Sequence, residues 1–74
     1  MTHLIIIVPD EHGWIVRSNA LTTDMTFKSG AQAETTAQRL ARQFAAAGEP
    51  VELQVFLRDG TLAGRYAYGA SRAA

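Results

Sequence analysis

A chain of 74 residues with seven basic and seven acidic side chains and no cysteine has room for one compact domain, and none for disulfide staples or thiolate metal sites. A hydrophobic fraction of 47% excludes a disordered chain, and a net charge of zero removes any global attraction to nucleic acid or an acidic membrane. So short a chain buries only about 60–65% of its unfolded surface, and its core supplies little more than about 3–5 kcal/mol.

The first element is the apolar run at residues 4–8, Leu-Ile-Ile-Ile-Val. It falls short of the about 7–15 residues of a secretory core and the about 20 of a membrane span, so a cytoplasmic chain is expected. It is β-branched almost throughout and reads as a strand. Pro9, Asp10, Glu11, His12 and Gly13 supply turn chemistry: a fixed φ, an Asx-turn former and a flexible glycine. Residues 14–18 form a second strand. A five-residue loop between the two pairs Val8 with Trp14 and Ile6 with Val16. Residues 23–27 alternate and read as a third, weaker strand.

At Ser29 the period changes. Ser29 and Gln32 have the spacing of a capping box. Ala33, Ala37, Leu40, Ala41 and Phe44 follow at helical spacing on one face, with Glu34, Gln38, Arg39, Arg42 and Gln43 opposite. Gly48 and Pro50 end the pattern, so the spacing predicts a helix over residues 30–47. Its mostly alanine stripe lets it lie close to a sheet while contributing little area.

Residues 51–58 alternate again, with Val51, Leu53, Val55 and Leu57 on one side and Glu52, Gln54, Phe56 and Arg58 on the other. Asp59-Gly60 is a strong two-residue hairpin signal, and residues 61–68 return. That register pairs Arg58 with Thr61, Leu57 with Leu62, Val55 with Gly64, Leu53 with Tyr66 and Val51 with Tyr68.

The order β-β-β-α-β-β is that of an α+β fold, an antiparallel sheet of about five strands with one helix packed on one face. Residues 1–69 make a single domain and residues 70–74 a flexible tail. We expect strand order 3-2-1-5-4, with the helix covering Trp14, Val16, Phe27, Leu53, Val55 and Leu62. Tyr66 and Tyr68 join Trp14 on the helix side as core aromatics.

One helix shields only one face. With the first hairpin in the register above, Ile5, Ile7 and Ile15 face away from the helix, and Phe56 joins them from the fourth strand. Four large apolar groups there make a patch of a few hundred Å², which a small monomer seldom leaves bare. The expected interface is therefore Ile5, Ile7, Ile15 and Phe56, taken by a second copy in a homodimer or by a protein partner. A one-residue slip of the first hairpin would instead make the isoleucines ordinary core.

The chemistry-bearing residues are sparse. His12 sits beside Asp10 and Glu11, but consecutive turn residues diverge, and His3 lies at the far start of the first strand. No Gly-x-Ser-x-Gly elbow or phosphate loop is present, and Glu49 and Glu52 flank a loop without sign of a pocket. No catalytic residue, metal or cofactor is expected, and the reading is a non-enzymatic interaction module. Six of the seven basic residues are arginines, of which Arg17, Arg58 and Arg65 are expected around Phe56 on the open face. Arginine suits phosphate, so weak nucleic-acid binding through these three is the alternative reading.

Taken together, Val8-Pro9, Gly13-Trp14-Ile15-Val16, Ser29 with Ala33, Ala37 and Arg39-Leu40-Ala41, Arg58-Asp59-Gly60 and Tyr68-Gly69 resemble the small bacterial family known as domain of unknown function 2188. The resemblance runs from about Ile6 to Gly69. It implies a stand-alone small α+β domain of bacteria and their phages, with no established activity and no catalytic residues to carry over. That family often places a polar residue, commonly histidine, where this chain has Phe56, a departure that fits an apolar contact here.

Overall fold

Five strands and one helix follow in the order β1 (His3–Asp10), β2 (Gly13–Ser18), β3 (Met25–Phe27), α1 (Gly30–Ala46), β4 (Val51–Phe56) and β5 (Leu62–Tyr68) in the computed structural model, which describes residues 2–69. The tail assigned to residues 70–74 lies outside the described residues. Among the described residues no helix is long and apolar enough to cross a membrane.

The strands form one sheet in the order β3-β2-β1-β4-β5, and β1 runs parallel to β4 while the other pairs are antiparallel. The sheet is thus mixed, and the expected all-antiparallel order 3-2-1-5-4 is corrected. Two antiparallel steps leave β3 running in the direction of β1. A single helical crossover restores that direction, so β4 arrives parallel to β1. Composition decides which strand of the last hairpin takes the inner place. Val51 and Leu53 of β4 are fully buried, whereas β5 offers mainly alanine, glycine and exposed tyrosine.

The first hairpin differs from expectation by one residue. Ile7 pairs with Val16, Pro9 with Trp14 and Asp10 with Gly13, leaving only Glu11 and His12 in the turn. The Asp10 carboxylate accepts the His12 backbone N–H at 2.8 Å, an Asx-turn that closes the loop early. Pro9 stays within the strand at little cost because β4 pairs with β1 only from His3 to Ile7 and does not reach it. A one-residue slip turns every side chain of a strand to the opposite face. Ile5 and Ile7 therefore lie under the helix, fully buried, and not on the open face.

The core consists of Ile5, Ile7, Val16, Val51 and Leu53 from the sheet and Ala33, Ala37 and Ala41 from α1, with Trp14, Met25, Phe27, Leu40, Phe44, Val55 and Tyr68 packed around it. Of the six residues expected beneath the helix, Leu62 is the exception, 41% exposed. The last hairpin explains it. Gly60 N–H bonds to the Leu57 carbonyl, and Gly60 takes a φ of +87° beyond a turn centred on Arg58-Asp59. The loop is three residues long, with Leu57 N–H bonded to the Thr61 carbonyl. Phe56 now faces Leu62, and a bulge at Ala63 restores the expected pairs Val55–Gly64, Leu53–Tyr66 and Val51–Tyr68.

Helix α1 starts where the sequence places it. The Ser29 hydroxyl accepts the Gln32 backbone N–H at 3.1 Å, from an extended residue. Ser29→Ala removes that acceptor, and the expected cost is about 1 kcal/mol, read as a lower urea midpoint with unchanged slope. At the other end the chain turns at Gly48, whose φ is +85°.

Candidate interaction face

Strand alternation fixes which side chains face away from α1. Ile6 stands opposite Arg17, Val8 opposite Ile15, Leu4 beside Glu52, Ile6 beside Gln54, Gln54 opposite Arg65 and Phe56 opposite Leu62. The open face therefore carries Leu4, Ile6 and Val8 from β1, Ile15 from β2, Phe56 from β4 and Leu62 from β5. Leu4 is 40% and Leu62 41% exposed, and Ile6, Val8, Ile15 and Phe56 are half-buried by their neighbours. Of the four residues expected here, Ile15 and Phe56 are in place, and Ile6 and Val8 stand where Ile5 and Ile7 were expected. The signal for that register is in the sequence: Asp10 and Gly13 occupy the first and fourth positions that a type I turn favours.

The charges on this face are internally balanced. Arg17 grips Asp24 with two nitrogens, Nη2 at 2.8 Å and Nε at 3.1 Å from Oδ2. These hydrogen bonds hold the Asp24 carboxyl below its ordinary value and raise the Arg17 guanidinium. Arg65 lies 3.4 Å from the Glu52 carboxylate, which also accepts from the Gln54 amide at 2.6 Å. Arg58 lies in the turn beyond β4 and donates to the Asp10 carbonyl at 3.1 Å, tying that turn to the end of β1. Of the three arginines expected around Phe56, two are on the face, and both already have a carboxylate.

The other candidate groups are dispersed. His12 is almost fully exposed and lies 3.8 Å from Glu11. His3 sits at the opposite end of β1, paired with Glu49 and with its ring 4.6 Å from that of Phe44. That pair, absent from the sequence reading, fastens the start of the sheet to the turn after α1. Among the described residues no three histidine, aspartate or glutamate side chains gather to hold a metal ion. Three surface hollows lie among the described residues. One of about 420 Å³ is lined by Phe27, Ala31, Gln32, Thr35 and Thr36, and one of about 280 Å³ has Glu34 as its single ionisable group. A third, of about 420 Å³, has Asp10, His12 and Lys28 on its rim, but Asp10 is engaged in capping the turn. Tyr66, paired with Leu53 on the helix side, lies beyond the edge of the helix and is 50% exposed. No family model, curated protein or solved structure matches the chain.

Proposed function

We propose that this chain is a non-enzymatic interaction module of the bacterial cytoplasm that homodimerises through the helix-free face of its sheet, in keeping with its resemblance to a family of stand-alone small domains. The observation that carries the reading is the strip Ile6, Val8, Ile15 and Phe56, extended by Leu4 and Leu62, across the middle of an otherwise polar sheet face. Five strands about 4.8 Å apart and about six residues long give a footprint of about 500 Å² per copy. Two such faces bury about 1,000 Å², the lower bound of a specific interface. A self-neutralised rim suits a second copy, since Arg17 and Arg65 bring their own carboxylates and present no net charge to repel it. The same carboxylates compete with phosphate, which is why nucleic acid is the weaker alternative for this face.

Val8→Glu places two like charges at the centre of the pair. It is expected to cost at least about 3 kcal/mol of association, more than a hundredfold in Kd, while the circular dichroism stays that of the wild type. Sedimentation velocity over micromolar to millimolar concentrations reads both states. A wild-type chain that stays monomeric throughout, or a Val8→Glu chain of unchanged mass, overturns the reading.

A further inference from the structure

The two edges of the sheet are built differently. β3 closes one edge with three residues, Met25–Phe27, the short length by which proteins protect an edge. β5 forms the other edge with seven, Leu62–Tyr68, and among the described residues its only strand partner is β4. It contains no proline and no acidic residue, and its single cation, Arg65, lies against Glu52. The bulge at Ala63 leaves Gly64 to Tyr68 as a regular stretch. Every second residue of an edge strand turns its N–H and C=O outward, and these groups need a partner or water. The devices that usually blunt such an edge, namely shortness, proline, unpaired charge and a central bulge, are missing from this stretch.

We infer that β5 is a strand-pairing edge and that its occupant is β5 of a second copy, running antiparallel about a two-fold axis through Tyr66. The side chains select this register. A two-fold axis normal to the sheet keeps each face on its own side, so residues opposite each other must share a face. Centring on Tyr66 sets Arg65 opposite Ala67 of the second copy and Gly64 opposite its Tyr68, each large group against a small one. Centring one residue earlier sets Arg65 against its own copy, two like charges directly opposed. At the axis the two Tyr66 rings, each 50% exposed in the single chain, become cross-strand neighbours. The ring already lies over Gly64 of its own strand, where an added Cβ would sit 2.9 Å from the tyrosine hydroxyl. Glycine at that position is what lets the aromatic lie flat along the edge. The product is a continuous ten-stranded sheet. This edge is separate from the open face, so the two contacts do not exclude each other and the wild-type chain assembles beyond the dimer.

The absence of native cysteine makes the test direct. Tyr66→Cys places two thiols across the axis, with Cβ atoms about 5 Å apart. With a short bis-maleimide at micromolar protein it is expected to give covalent dimers at least tenfold faster than Gln43→Cys on the exposed side of α1. The same rate is expected in a Val8→Glu background, where the open face is blocked. Tyr66→Lys is expected to reduce the wild-type mass to that of the face dimer, with unchanged circular dichroism. Equal cross-linking rates at positions 66 and 43, or a Tyr66→Lys chain of wild-type mass, overturn the inference while leaving a Val8-dependent dimer intact. Conversely, Tyr66→Cys cross-linking with a mass insensitive to Val8→Glu supports the edge and removes the face.

Discussion

Ile7→Glu is expected to leave the chain unfolded at 25 °C, while Val8→Glu, one residue on, folds normally. Ile7 is fully buried between Val16 and Val55 in the sheet and the alanine stripe of α1 above it. The substitution forfeits about 2–3 kcal/mol of apolar burial and places a carboxylate where the core has no buried polar group to meet it. Even neutralised by protonation, such a group costs several kcal/mol, which exceeds the about 3–5 kcal/mol that a core of this size provides. Ile7→Ala, at about 3 kcal/mol, is the milder version and measures the cavity alone. Val8 lies on the opposite face beside Ile15, where a carboxylate reaches water in the single chain. Far-ultraviolet circular dichroism and urea titration of the three variants read the contrast. A folded Ile7→Glu chain beside an unfolded Val8→Glu chain would reverse the facing of β1.

That facing is also where the sequence was least legible. Helix α1 was readable almost to the residue, because Ser29, the alanine spacing, Gly48 and Pro50 act locally and agree with one another. Three of the five expected β4–β5 pairs were readable for the same reason: Val51, Leu53 and Val55 alternate against Tyr68, Tyr66 and Gly64. β1 carries no such alternation. Leu4, Ile5, Ile6, Ile7 and Val8 are apolar at every position, so hydrophobicity does not say which parity faces the helix. The turn decides it, through the single hydrogen bond from the His12 N–H to Asp10, and a proline next to that turn suggested an earlier end to the strand. A continuous apolar run suits a strand flanked on both sides, and β1 is the central strand of the sheet. The parallel pairing with β4 was hidden for a different reason. Strand order follows from competition between β4 and β5 for β1, a long-range choice that no local motif encodes. The candidate face inherited both errors: Ile15 and Phe56 were found, while Ile6, Val8 and Leu62 needed the register of two hairpins.

Gly13→Ala tests the same hairpin from its other side, and it is expected to cost about 3 kcal/mol, near the upper end for forcing an extra methyl into a packed site. A Cβ on Gly13 would lie 2.1 Å from the Phe27 carbonyl oxygen and 3.2 Å from the Lys28 Cα. Both are backbone atoms, so no rotamer change relieves the collision. β2 and β3 must separate. β3 has only three residues, paired as Trp14–Phe27, Ile15–Thr26 and Val16–Met25, and little else holds it. Its release also withdraws Phe27 and Met25 from the rim of the core. Gly60→Ala provides the contrast. Nothing lies within 4 Å of a Cβ there, and the cost is only that of holding alanine at a φ of +87°, about 1 kcal/mol. The two variants therefore differ in mechanism as well as size. Gly13→Ala is expected to speed amide exchange at residues 25–27 and to expose Trp14 to solvent quenching, whereas Gly60→Ala changes neither and lowers only the urea midpoint. If Gly60→Ala proves the more damaging, or if residues 25–27 keep their protection in Gly13→Ala, then β3 does not sit against Gly13 as described, and the short edge that distinguishes β3 from β5 loses its basis.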